Sequence, residues 1–492
     1  MPSFDPLSRL LGGLAAILGT IAAVGYWRAG LSLSHYDARA HLVVARRIFD
    51  SLTPSWEQIG AVWLPLPHVI NALPVQVDWM YRSGASAIAI SVVSFALTVA
   101  CLSATVRIVS NSRTGAILAA TLFMFNPNVL YLQSTPMTEP LLFALSALTL
   151  LHLSDWAMSN VIQARAAAGW TMAAACLTRY EAWPIVGVGL VFAASVKLRR
   201  GAVLTAVVHE AAKLALYAAG AIAVFLLVSY TTTGVWFVTG GFYVADPQLA
   251  GQPMAAYEAI RDGVSDLGGP RFVQYASYSI VIVAIAAVVW RAWSGLLMPL
   301  AFMAAAALPF YAYLSGHPFR IRYEVPLILG CAAATGAAVS LLRFAAPLVA
   351  IPVLALVTVQ SPFFDPSLAP MVVEAQLDRT NSMGRRAVTE CLRSQYDRTT
   401  IMASMGSLAH YMQELSHAGF DLDDFIHEGS GPLWAVALNE DPSLAVGWIL
   451  IEEAAEGGDA LFQRAQASPR FLQRFERRCA GGNVALYKRV TQ

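Results

Sequence analysis

The chain has 492 residues, 57% of them apolar and only 13% charged, where an average soluble domain carries about a quarter charged residues; a water-soluble protein of this size is excluded. Lys plus Arg number 32 and Asp plus Glu 31, so no basic excess points to nucleic acid as the main partner. The partner that the composition selects is the lipid bilayer.

About 20 consecutive apolar residues span a bilayer. Uncharged windows run over 10–27, 83–106, 214–245, 272–290, 292–316, 325–342 and 344–364, and each predicts a span. Shorter windows at 114–125, 140–154, 166–178 and 182–196 predict further helices, short enough to be buried in a bundle or broken, which makes about eleven in all. The first window has no cleavage-like stretch before Arg28 and is expected to be a retained helix. Arg107, Arg113, Arg165, Lys197, Arg199, Arg200, Lys213, Arg291 and Arg343 fall in loops of one side, against only Asp155 and Glu210. That bias predicts a cytoplasmic N-terminus. Segments 28–82, 126–139, 179–181, 233–271 and 317–323, together with the tail, are then expected on the outer face.

Ionisable residues at membrane borders are costly unless paired or used, and four clusters of them fall on that outer face. The first is His35-Tyr36-Asp37-Ala38-Arg39-Ala40-His41, opening a helical run from His41 to Phe49. Asp37 and His41 are one helical turn apart and face the same way. Asp37 reads either as the N-cap of an interfacial helix or as a general base that takes a proton from an acceptor hydroxyl. In Trp63-Leu64-Pro65-Leu66-Pro67-His68, two prolines two apart predict a stiff extended turn that holds Trp63 and His68 in place. A second amphipathic stretch follows around Val69 to Tyr81.

The third cluster runs from Asn126-Pro127-Asn128 to Thr138-Glu139-Pro140. Thr138 as N-cap and the early Pro140 mark a helix start, which puts Glu139 in a first turn where negative charge is favoured; it is also placed to face a cavity. The fourth has two pieces, Thr178-Arg179-Tyr180-Glu181 and His317 to Pro326, the latter with Arg320, Arg322, Tyr323 and Glu324. A guanidinium at such a depth needs an anion and has a fork that fits phosphate. The simpler alternative pairs Arg179 with Glu181 and Arg322 with Glu324. The outer segment 233–271, with Trp236, Phe237, Phe242, Tyr243, Tyr257, Glu258 and Asp266, reads as an aromatic loop that either closes over a sugar or lies among headgroups.

From residue 362 the chain is mixed polar, with strand-like runs at 399–404, 446–452 and 484–490 between helical stretches. This predicts two domains: a transmembrane one over 1–361 and a small soluble α/β one over 362–492, read as an accessory domain that helps bind the acceptor. Cys391 and Cys479 both fall in the tail, where a disulfide between them is chemically allowed outside the cell's reducing interior. Ser404-Met405-Gly406-Ser407 puts backbone amides at a helix N-terminus, too weak a pattern to mark a phosphate site.

At these residues the chain resembles the GT-C superfamily of integral membrane glycosyltransferases, which includes protein O-mannosyltransferases and the aminoarabinose transferases that modify lipid A. The resemblance covers most of the chain and rests on Asp37 early in the first outer loop, the Trp63 to His68 segment, the Asn126-Pro127 to Glu139-Pro140 segment, the Arg179-Tyr180-Glu181 step and the Arg322-Tyr323 step. Two departures accompany it: His68 stands where aminoarabinose transferases carry a lysine beside the prolines, and the Asp-Glu pair of the O-mannosyltransferases is missing. The resemblance implies a GT-C-like polytopic helical fold and an inverting transfer of a hexosyl or pentosyl group from a polyprenyl-phosphate donor to a hydroxyl of an outer-face lipid, glycan or protein. It further implies no cofactor, with a divalent metal optional at most. Asp37 would be the base and Glu139 would orient hydroxyls. Arg179, Arg320 and Arg322 would hold the donor phosphate with Glu181 and Tyr323 beside them, and His41 or His68 would tune Asp37 or bind phosphate. A transporter or flippase of an anionic prenyl lipid is the alternative from another class. Against it stand the missing internal repeat and the gathering of motifs on one face. A structural assembly protein would leave Asp37, Glu139, Arg179 and Arg322 without a shared purpose.

Overall fold

The computed structural model describes residues 4–490 apart from 61, 238–242, 361–368 and 456. Phe242 and the expected domain boundary at 361/362 lie outside the described residues. Nine helices among those residues are long and apolar enough to cross a membrane: Pro6–Arg28, Ala85–Ser110, Glu139–Met158, Ala182–Arg199, Leu204–Thr233, Pro270–Val289, Arg291–Leu314, Ile321–Ser340 and Arg343–Gln360. Two shorter apolar helices, Arg113–Met124 and Ala166–Cys176, complete the expected set of about eleven.

Contacts divide the chain into two compact units. One comprises 1–29, 88–227 and 246–373; the other comprises 30–87, 228–245 and 374–492. The first is a helical bundle. Its most enclosed span, Ile321–Ser340, is 89% buried over its apolar window, whereas Arg343–Gln360 is 11% buried and turns its side chains outward. Helix Arg113–Met124 approaches the enclosed span so closely that a Cβ on Gly115 would lie 2.4 Å from the Gly336 carbonyl oxygen. Small residues permit such backbone contact between apolar helices, where dispersion and not water exclusion provides the attraction. Cations close two helix C-termini in this unit, as the unpaired carbonyls there demand. The ammonium of Lys197 donates to the Trp156 and Ser159 carbonyls at 2.7 Å each, and Arg199 donates to those of Ala287 and Val288 at 2.8 Å.

The segment expected as an aromatic loop contains a helix, Pro253–Gly268. It buries Ala256, Ile260, Val264 and Leu267 at helical spacing and leaves Tyr257, Glu258 and Asp266 in exposed positions. Asn126 and Asn128 each donate a side-chain N–H to the Leu267 carbonyl at 2.9 Å. The Asn-Pro-Asn step therefore caps this helix. Trp236 stacks on Tyr230 at 4.5 Å within the second unit.

The second unit is built on a five-stranded sheet of β1 (Ile401–Ala403), β2 (Phe425–Ile426), β3 (Trp448–Glu452), β4 (Phe475–Gly481) and β5 (Val484–Arg489), in the order β2-β1-β3-β5-β4. The β2-β1-β3 half is parallel and the β3-β5-β4 half antiparallel. The three expected strands are present. The two others escape a periodicity reading because β2 has two residues and β4 carries Glu476, Arg477 and Arg478. A Cys391–Cys479 disulfide joins helix Arg379–Gln395 to β4 across 88 residues.

The compact units differ from the expected division at 361/362: residues 30–87 and 228–245 group with the tail, which itself begins at 374. For residues 30–87, the reason is a shared core. Helix Tyr36–Arg46 contributes Ala40, Leu42, Val43 and Ala45 to the same buried cluster as Leu408, Met412 and Leu415 of helix Met405–Leu415 and Ile401, Leu450 and Leu486 of the sheet.

Candidate active site

Helix Tyr36–Arg46 begins two residues earlier than an Asp37 cap requires. Its N-cap is His35, whose Nδ1 accepts from the Asp37 amide at 3.1 Å. Asp37 is thus the second helical residue, not the cap, at the end of a helix dipole that favours negative charge, and it is 6% exposed.

His41, one turn on, is 5% exposed and His68 1%. The extended turn expected at Pro65 and Pro67 is instead the start of helix Leu66–Ala72, with Pro65 as N-cap in the right-handed helical region. Prolines fit a first helical turn because their missing N–H has no partner there in any case. This turn lets His68 Nδ1 reach the Leu64 carbonyl at 3.1 Å and brings its Nε2 to 3.1 Å from His41 Nδ1. Burial, aided by the Arg47 guanidinium, pushes the His68 imidazolium down to about 3, so the ring is neutral at pH 7. Its proton then sits on Nδ1, facing the carbonyl, and Nε2 accepts from His41 Nδ1–H. In neutral His41 the lone pair therefore lies on Nε2. Trp63 packs at 4.1 Å from the His41 ring and stacks on His68 at 5.9 Å, which fixes both imidazoles.

The first unit gathers the remaining candidates. Glu139 opens its helix as expected and is 0% exposed. Arg179 Nη1 lies 3.1 Å from Glu139 and Nη2 lies 2.8 Å from Glu181; Nη1 also donates to the Thr138 hydroxyl at 3.0 Å. The ion-pair alternative for Arg179 is thus realised, with two carboxylates and not one. A role for Arg179 on phosphate requires one of those carboxylates to release it.

Tyr323 is near enough to act electrostatically on Arg179. Its hydroxyl stands 3.3 Å from His317 Nε2, and the Arg322 guanidinium lies over its ring at 5.5 Å. Glu324 accepts from the Tyr313 hydroxyl at 2.6 Å, and that hydroxyl also contacts the Arg320 backbone. Arg320 and Arg322 are half-buried. Tyr313 belongs to this group although its sequence context does not single it out; the Tyr-x10-Glu spacing between Tyr313 and Glu324 carries no signal until the chain turns back at 315–320.

In the second unit, the helix N-terminus at Met405 is taken by the chain's own carboxylate, Glu428, which accepts from the Met405 amide at 2.6 Å and from the Ser404 hydroxyl at 2.5 Å. Among the described residues, no three His, Cys, Asp or Glu side chains stand together as metal ligands.

The chain is similar in structure to ArnT from Cupriavidus metallidurans bound to undecaprenyl phosphate, with a TM-score of 0.59 and 12% identity over 96% of this chain and 98% of that one. The fold is that of ArnT. The apo form of the same ArnT gives a TM-score of 0.58 at 12% identity, over 96% of this chain and 97% of that one. The ArnT-like fold agrees with the polytopic helical architecture with a small C-terminal sheet that the sequence leads one to expect. With its apolar helices it makes the chain an integral membrane protein. No family model matches the chain, and no curated protein sequence matches it.

Proposed function

We propose that this protein is an inverting, polyprenyl-phosphate-sugar-dependent glycosyltransferase of the cell's inner or plasma membrane, acting on a hydroxyl acceptor at the outer face. The observation that carries the reading is the ArnT fold across 96% of the chain, in a neighbour whose structure holds undecaprenyl phosphate. The positive charges of one set of loops support a cytoplasmic N-terminus. The Cys391–Cys479 disulfide supports an oxidising compartment for the tail.

In the reaction the acceptor hydroxyl oxygen bonds to the anomeric carbon as the bond from that carbon to the donor phosphate oxygen breaks. The hydroxyl proton passes to Asp37, and polyprenyl phosphate leaves with the bonding electrons. Displacement from the far side inverts the anomeric centre. Arg320 and Arg322, with Tyr323 beside them, are assigned to the donor phosphate, whose charge grows as the bond breaks. Glu139 and Glu181, held by Arg179, are assigned to orienting hydroxyls. The His41–His68 pair is assigned to the surroundings of Asp37 on its own helix.

The test is mass spectrometry of lipid glycoconjugates and envelope glycans from a host with and without the gene. The proposal expects one sugar substituent to disappear with the gene and return on complementation. An unchanged glycan profile with altered lipid-linked intermediates would support lipid transport instead and overturn it.

A further inference from the structure

The first turn of a helix is its least secured part, because its amides have no partners within the helix. Asp37 sits in that turn, and the tail holds it there by two routes. Arg39 pairs with Glu414 of helix Met405–Leu415. The Glu414 carboxylate also accepts from the Ser382 hydroxyl at 3.0 Å and from Arg385, whose Nη2 and Nε lie 2.9 and 3.3 Å from its two oxygens. Arg385 is fully buried and turns its other edge to Asp378, at 3.1 and 2.5 Å. Two guanidinium groups face two carboxylates, so the network is balanced, the condition under which buried charge is tolerated.

The second route starts from the Asp37 amide, which donates to His35. His35 stacks on Tyr36 at 4.8 Å, and Tyr36 meets the His410 ring edge-on at 6.3 Å. His410 Nε2 in turn lies 3.7 Å from Asp378. Both routes therefore end on the same buried ion network, and both start within two residues of Asp37.

We propose that Glu414 is a positioning residue for Asp37, acting through Arg39, and that the tail is part of the catalytic unit and not an accessory domain for the acceptor. The inference rests on the reading of Asp37 as the base. Its physical ground is that proton transfer demands placement to a fraction of an ångström, a misplacement of about 1 Å costing about 100-fold in rate. A helix end anchored only by its own backbone does not supply that.

The test uses the full-length protein in nanodiscs and compares hydrogen exchange at the amides of 40–46 with that of β1 and β3. Arg39→Gln is the primary variant, since it removes one arm and leaves Arg385 between Asp378 and Glu414. We expect exchange over 40–46 to rise by about tenfold with the strands unchanged. The sugar product restored to the host should fall by about tenfold or more. Arg39→Lys, which keeps the charge, should restore both readouts, and Glu414→Gln should reproduce the loss. Unchanged exchange in Arg39→Gln overturns the proposal, as does raised exchange with full product. Asp37→Asn is measured alongside: full product from that variant overturns the base assignment itself, while the exchange data still judge the anchoring.

Discussion

Arg179 holds Glu139 at 3.1 Å through one Nη and Glu181 at 2.8 Å through the other, so one guanidinium joins buried carboxylates from the starts of two spans. Removing one member of such a group strands the others. Arg179→Ala is expected to destabilise the folded protein by about 3–5 kcal/mol, read as a lower melting temperature in detergent. Adding Glu139→Gln to that variant should recover part of the loss. A melting temperature equal to that of the wild type would show that the cluster carries no structural charge balance.

Acid should loosen the second unit. Burial pushes His68 and His427 down to about 3 and His410 down to about 4, with Arg47 lowering the first two further and Arg385 the third. Unfolded histidines titrate near 6.5, so unfolding takes up protons below that pH. The stability these neutral rings permit is complete above about 6.5 and is lost as pH falls toward 4 and 3. Glu452, which burial raises to about 7, acts in the other direction, favouring the folded state below its pKa. His427→Gln should therefore reduce the slope of stability against pH between 6.5 and 4 by up to about 1.4 kcal/mol per pH unit. Denaturation curves at several pH values check this, and an unchanged slope would contradict it.

The Cys391–Cys479 bridge closes 88 residues of the sheet-bearing tail. Cys391→Ser is expected to lower the stability of that unit by about 2–4 kcal/mol. The check is chemical denaturation followed by Trp448 fluorescence, since that side chain is fully buried in the sheet. An equal denaturation midpoint with and without the bridge would contradict the expectation.

Gly115 has no room for a side chain, because a Cβ there would lie 2.0 Å from the Ser340 hydroxyl and 2.4 Å from the Gly336 carbonyl. Gly115→Ala should force helices Arg113–Met124 and Ile321–Ser340 apart at a cost of about 1–3 kcal/mol. Thermal unfolding in detergent measures it. A stability equal to that of the wild type would argue against this close packing.

The spans were legible because the bilayer imposes length and composition on each window independently, and β3 and β5 were legible because apolar residues recur within a few positions. The Arg179–Glu181 pairing needed only local spacing. What escaped was non-local. Nothing near Ala40, Leu42 or Val43 announces that these residues complete a core with Leu408 and Leu486, some 370 and 440 positions on, so the sequence alone places the helical run after Asp37 with the membrane domain and the tail in a separate one. Helix Pro253–Gly268 is hidden in the sequence because its aromatic flank and glycines outweigh a modest apolar stripe. At Pro65 and Pro67 the rule that proline ends helices yields to its exception, the first turn.

The central claim is that Asp37 is the base of an outer-face sugar transfer. It is tested most directly by complementing a host that lacks the gene with wild-type protein or Asp37→Asn, at matched membrane levels, and quantifying the sugar-bearing glycoconjugate by mass spectrometry. The account predicts full product from the wild type and a loss of about 100-fold or more from the variant, with the fold retained by hydrogen exchange. Product from Asp37→Asn at the wild-type level would contradict it.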